Sequence, residues 1–338
     1  MVSLVTMIPT FPRICLLAVL SVLSLPVRGT ANPPDLDLPV MHDLDLRQVQ
    51  LVVESAPESK ERLHQRTKSL LAKAGLHLTS PDALHSPPVA RLTLTLNATL
   101  LGDTCPGKVL YAPSVALIES VIVPRNGEVM QDTTWAAETS LRVRAPLTIE
   151  DLEHDMDRLV SRFIEAYQLT QTVRPARETG NEGKASALPP VDNASGSTAS
   201  LEEQNTRAGV SLQGLDITRV QLSVLAGRST SPLETRALRR LTTAGLPVSL
   251  ESHGPDAPTL SLEISQRTIG EDCPGKVLYE SGLFLVEPVR LVRNRQIRTW
   301  TDTWVRERIQ IVPPVPMQQF ESDQEALLTQ FIRSFKGR

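Results

Sequence analysis

Cys105-Pro106-Gly107-Lys108-Val109-Leu110-Tyr111 recurs residue for residue as Cys273-Pro274-Gly275-Lys276-Val277-Leu278-Tyr279. A seven-residue identity within one chain implies an internal duplication. Cys-Pro-Gly-Lys has the chemistry of a type II β-turn. Proline pre-sets the backbone of the second position, and glycine supplies the positive φ of the third. Alternating apolar residues lie before each turn: Leu92, Leu94 and Leu96 in the first copy, Leu260, Leu262 and Ile264 in the second. Strand-like runs follow, 109–123 and 277–292, so each turn is expected at the tip of a β-hairpin. A type II turn does not require cysteine, and its presence in both copies asks for a second reason.

The correspondence extends outward. Val49, Leu51 and Val53 form a first strand, matched by Val220, Leu222 and Val224. A helix follows in each copy. Its apolar face is Leu63, Thr67, Leu70, Leu71 and Ala74 in one and Leu233, Ala237, Leu241 and Ala244 in the other. Gly75 and Gly245 stand at the stop positions. Ser231-Pro232-Leu233-Glu234 reads as a helix start with serine as cap. After the hairpin, Asn126-Gly127 predicts a type I′ turn into a further strand. Trp135 matches Trp304 with a slip of one residue, which a bulge would absorb. A closing amphipathic helix carries Leu152, Met156, Leu159, Val160, Phe163 and Tyr167, answered by Phe320, Leu327, Leu328, Phe331 and Phe335. The fold expected is α+β: a tandem duplication of a β-α-β-β-β-α two-layer module, joined by a flexible linker. Module one spans 45–170 and module two 213–338. The aperiodic Gly/Ser/Pro-rich stretch 171–212 is the linker, and 32–44 a mobile tail.

At the N-terminus Arg13 precedes an apolar run over 14–27, and Gly29 and Ala31 fit a cleavage site, so 1–31 reads as a secretory signal. The alternative is an uncleaved anchor. The protein is expected to be exported, periplasmic or extracellular, with no transmembrane span after signal removal. The net charge of −3 argues against nucleic acid as partner. Cleavage would also remove Cys15, leaving Cys105 and Cys273 in an oxidising compartment. Three outcomes are open for them: a disulfide joining the two modules, pairing between chains, or free thiols.

No catalytic motif emerges. The six histidines do not recur at equivalent places, and no zinc spacing, phosphate loop or nucleophile elbow is found. No catalytic, metal or cofactor residue is assigned. The polar positions shared by the copies are more informative: Glu119/Glu287, Arg66/Arg236, Lys108/Lys276, Arg125/Arg293 and Asn126/Asn294. Glu119 and Glu287 sit on otherwise apolar strand faces, where a carboxylate needs a partner. Arg66 and Arg236, on the first helix of each copy, are candidates to supply it. Lys108 and Lys276 beside the cysteines could lower a thiol pKa.

The β-α-β-β-β-α order, the secretory signal and the amphipathic closing helix resemble small bacterial envelope modules such as the lipopolysaccharide-assembly lipoprotein. This chain departs from them in lacking a lipobox and in being doubled. The resemblance implies a non-enzymatic envelope component working by contact. The leading expectation is a binding or scaffolding protein whose partner is an envelope protein or an envelope lipid or glycan. A thiol-dependent, redox-responsive protein using Cys105 and Cys273 is the alternative, and a hydrolase with a spatially assembled site the third. The oligomeric state is not readable.

Overall fold

The computed structural model describes residues 39–78, 90–172, 211–226, 230–251, 253–254 and 256–337. The expected signal at 1–31, the start of the tail and nearly all of the linker lie outside the described residues. The architecture is α+β. The first half runs β1 (Val49–Glu54), α1 (Pro57–Lys73), β2 (Ala90–Thr95), β3 (Ala98–Leu100), β4 (Val109–Tyr111), β5 (Ser114–Ile122), β6 (Val129–Glu138), β7 (Arg142–Arg144) and α2 (Ile149–Thr172). The second runs β8 (Gln221–Leu225), α3 (Thr230–Thr243), β9 (Thr259–Thr268), β10 (Val277–Leu291), β11 (Arg298–Val312) and α4 (Met317–Lys336).

In each half the first strand pairs parallel with the second across the helix, β1 with β2 and β8 with β9. The remaining main-sheet pairs are antiparallel. The two helices bury the apolar stripe expected of them against one face. Leu63, Leu71, Met156, Leu159 and Phe163 form the first core with Leu92, Leu94, Val115 and Leu117. Leu233, Leu241, Leu328 and Phe331 form the second with Leu260, Leu262, Leu283 and Leu285. Trp135 meets Phe163 edge to face, and Trp304 meets Phe331 likewise.

The turn reading holds. Lys108 N–H donates to the Cys105 carbonyl (3.1 Å) and Lys276 N–H to that of Cys273 (3.2 Å). Gly107 and Gly275 have φ of 69° and 73°. The hairpin reading holds fully only in the second half, where β9 and β10 pair from Thr268 back to Thr259. In the first half the hairpin breaks. β2 and β5 stay in the main sheet, while β3, β4 and β7 form a separate three-stranded sheet. Ser281, inside β10, pairs with both Ile264 and Arg308. Its counterpart is Pro113, which has no N–H for a ladder bond, and the strand stops on either side of it.

Three further expectations are corrected. Asn126-Gly127 is not a type I′ turn, because only Gly127 has positive φ (71°). Pro124 instead opens a turn in which Asn126 N–H donates to the Val123 carbonyl (3.4 Å), and Gly127 follows in the left-handed region. The slip between Trp135 and Trp304 comes from this turn. Val123 N–H bonds Glu128, whereas Leu291 N–H bonds Ile297, one residue further on. A bulge exists in both halves, at Leu117/Ile118 and Leu285/Val286. Finally, α3 begins at Thr230, so Ser231 lies within the helix and is not its cap.

Candidate functional site

The halves meet at two places far apart along β5 and β10. At their C-terminal ends these strands pair antiparallel through Ile122↔Arg290 and Val121↔Leu291, which makes one eight-stranded sheet. Val292 N–H donates to the Ser120 carbonyl (3.0 Å). The residue equivalent to Val292 is Pro124, which cannot donate the symmetric bond. Val121, Val123, Val289, Leu291 and Val40 form a small apolar cluster at the seam.

Beside that cluster lie Glu119 and Glu287, 1% and 3% exposed. Each takes its cation from the opposite half. Arg293 Nε donates to Glu119 Oε1 (2.5 Å), and Arg125 Nε donates to Glu287 Oε1 (2.8 Å). The second carboxylate oxygen accepts from a threonine at the bulge: Thr134 Oγ1 to Glu119 (2.6 Å), and Thr303 Oγ1 to Glu287. The extra residue of each bulge thus places a hydroxyl on a buried charge. Arg293 also donates to the carbonyls of His42 (2.7 Å) and Val40, and Arg125 to those of Ser211 (2.6 Å) and Gln213 (2.5 Å). Each arginine therefore binds the other half's glutamate and the segment leading into the other half's first strand. Val40, Met41 and Leu44 are accordingly buried. Thr301 Oγ1 donates to Asp132 across the same junction. Arg293 Nη2 binds the Val40 carbonyl, whereas Arg125 Nη2 is buried without a hydrogen-bond partner among the described residues.

The second contact is at the turns. Cys105 and Cys273 are joined by a disulfide, with Cα atoms 5.6 Å apart, and both residues are 3% exposed. Lys108 Nζ donates to Asp272 Oδ1 (2.8 Å). The position that would answer Lys276 is Thr104, which carries no charge.

Arg66 and Arg236 do not reach the buried glutamates. Arg66 pairs with Asp157 (2.6 Å) and Glu153 (3.4 Å) on α2, and Arg236 pairs with Glu321 (2.8 Å) on α4. They tie the two helices of each half together. The glutamates' partners, Arg125 and Arg293, stand among the shared positions of the sequence. What the sequence hides is that each serves the other copy.

A crevice of about 580 Å³ opens between the halves beside the disulfide. One wall is the first half's small sheet, with Leu100, Leu101 and Leu110. The other is α4, with Asp323, Ala326, Leu327 and Gln330. The floor is the consecutive run Arg306–Val312 of β11. Seven consecutive residues on one wall mean that the strand presents its edge. β11 pairs with β10 on one side only, and among the described residues no strand covers the other. Leu100 is 74% exposed. Deeper in, the Tyr279 hydroxyl donates to Asp323 (2.6 Å). Burial, and then this hydrogen bond, push the Tyr279 ionisation well above the ordinary tyrosine range.

Chemically, the buried cluster of Glu, Arg and Thr is closed to solvent and its carboxylates are engaged, so it offers no open face to a substrate. Among the described residues no group of three His, Cys, Asp or Glu could hold a metal ion, and no helix is long and apolar enough to cross a membrane.

No family model matches the chain, and no curated protein matches it. Solved structures match over about a third of it. A PelC dodecamer from Paraburkholderia phytofirmans shares 14% identity, covering 36% of this chain and 88% of that one, with a TM-score of 0.22. A minor lipoprotein from Acinetobacter baumannii shares 22% over 35% and 88%, with a TM-score of 0.16. The rare lipoprotein B from Shewanella oneidensis shares 16% over 35% and 92%, with a TM-score of 0.17.

Proposed function

We propose that this is a non-enzymatic, exported binding or scaffolding protein of the cell envelope, and that it holds a partner in the crevice between its two halves. The observation that carries the reading is the crevice itself. Its walls come from different halves, and those halves are fixed to each other by a disulfide on one side and crossed Arg–Glu pairs on the other. Such fixing pre-organises a site, which lowers the ordering cost of binding. The buried disulfide weighs against the thiol-exchange reading, because an attacking thiolate needs access to a sulfur. The closed polar cluster weighs against the hydrolase reading for the same reason of access.

A photoreactive amino acid placed at Leu100, in the crevice mouth, tests this in cells that naturally carry the protein. Leu225, 57% exposed on β8, is the control position. A discrete adduct from position 100 is expected, competed by excess unlabelled protein and absent from position 225. Equal labelling from both positions, or none from 100, would refute the reading.

A further inference from the structure

The geometry points to β-strand addition: the open edge of β11 over residues 306–312 receives an extended peptide segment of a partner protein, with acidic side chains alternating with apolar ones. This rests on the crevice being the binding site and names the chemistry of what enters it.

A strand edge offers a row of N–H and C=O groups to any extended chain that can reach it. Along β11 the burial pattern changes after Trp304. Up to that residue the threonines and Trp304 are buried; from Val305 to Val312 every residue is half-buried or exposed. The edge is therefore accessible where the crevice lies. It is also roofed on both faces, by α4 on one and by the first half's β3–β4 hairpin on the other. A strand added there would be held in a slot, with successive side chains pointing to opposite walls.

The two walls differ in chemistry. Arg306 and Arg308 share one face of β11, the face of Trp304 and α4. Arg306 stacks over the Trp304 ring at 5.4 Å. Arg308 is exposed, and the Gln310 amide, turned with its oxygen inward, accepts from it at 2.8 and 2.9 Å. Among the described residues neither arginine has a carboxylate at ion-pair distance. Arg142 and Arg144 of the first half pair with Asp155 and Asp151 of α2 at 3.1 Å, but by strand register they answer to Gln310 and Val312. The positions that answer Arg306 and Arg308 are Ala137 and Thr139, so these two cations belong to the second half alone. On α4, Asp323 is held by the Tyr279 hydroxyl. The opposite wall carries Glu307, Ile309 and Ile311 of β11 with Leu101 and Leu110, and is apolar from Ile309 onward. Acidic side chains fit the first wall and apolar ones the second.

Fluorescent ten-residue peptides on the full-length, disulfide-intact protein test this. The set is an alternating Glu/Leu peptide, its Lys/Leu counterpart, a scramble with Glu and Leu in blocks, and the alternating peptide N-methylated at every second residue. The alternating acidic peptide should bind at least about tenfold more tightly than the Lys form at low salt, and lose affinity as salt rises. It should slow hydrogen exchange at 306–312. N-methylation removes the donors needed for pairing and should abolish both effects. Arg306→Glu with Arg308→Glu should reverse the charge preference. Arg308→Glu alone, at an exposed position, should weaken it by several-fold without lowering the melting temperature. Equal binding of the scrambled or N-methylated peptide would overturn strand addition while leaving the crevice as a site for apolar groups. Protection of 306–312 that rises with protein concentration and no peptide would assign the edge to a second copy and overturn the proposal. No binding by any peptide, together with no adduct at position 100, would remove the crevice reading as well.

Discussion

Replacing Arg293 by methionine should be among the most damaging single changes available in this chain. The side chain is 9% exposed and faces Glu119, which is 1% exposed. Without the guanidinium, Glu119 keeps only the Thr134 hydroxyl, and the carbonyls of Val40 and His42 lose their donor. Removing one member of a buried ion pair costs about 3–5 kcal/mol, because the surviving charge is left in a poorly polarisable interior. At roughly 2–4 °C per kcal/mol for units of 150–250 residues, the melting temperature should fall by about 6–20 °C. Glu119→Leu combined with Arg293→Met should recover much of this, since no buried charge then remains. The coupling energy of that cycle should be about 2 kcal/mol or more. The assay is thermal and urea unfolding of the four proteins at neutral pH with the disulfide intact. Hydrogen exchange at residues 39–44 provides a local readout, and these amides should lose protection in Arg293→Met. A cost below about 0.5 kcal/mol, or a double variant that merely sums the singles, would refute the account of the junction.

Thr134→Val and Thr303→Val each leave a buried carboxylate oxygen short of a donor and should cost about 1–3 kcal/mol in unfolding experiments, against little for Thr133→Val. Converting Cys105 and Cys273 together to serine releases a link across a sequence separation of 168. The chain-entropy argument puts the loss near 5 kcal/mol, read as a lower urea midpoint than that of the oxidised parent. In the parent, alkylation of both thiols under mild reductant should stay slow until denaturant is added. Hydrogen bonds from the Thr218 side chain and backbone hold the Asp216 carboxyl below its ordinary pKa of 3.8. A depressed carboxylate contributes stability above its unfolded pKa and loses it as pH falls through the folded one. Asp216→Asn should therefore be less stable than the parent at pH 7, and the gap between their acid-unfolding curves should close below about pH 4.

Much of the local structure was legible because it depends on neighbouring residues. Pro-Gly at the turns, the spacing of Leu63 and Leu71, and the glycines after α1 and α3 each act within a few positions. The odd placement of Glu119 and Glu287 was visible for the same reason, since period-two alternation puts them on the apolar face. Their partners were not, because two copies of one motif look self-sufficient when written one above the other. Arg66 is the nearest helical cation in sequence logic, yet α2 supplies Asp157 and Glu153 and holds it away from the sheet. Pro113 was readable but easily passed over: one ring in place of Ser281 detaches β4 from β5 and bends the first half's hairpin toward α4. The crevice follows from that bend, and no periodicity could announce it.

The crossed pairing also sets an order of events. Glu119 is 174 positions ahead of Arg293, and the carbonyls of Val40 and His42 are more than 250 positions ahead. At a synthesis rate of about 5–20 residues per second, the first half waits roughly 10–35 s for the cation that neutralises its core glutamate. During that interval its leading segment lacks the Arg293 bonds to Val40 and His42 and is held only by the packing of Met41 and Leu44 in the first core. The last third of the chain therefore completes the first half as well as itself, and a truncated product ending before Arg293 would leave the ribosome with a half that lacks its own keystone.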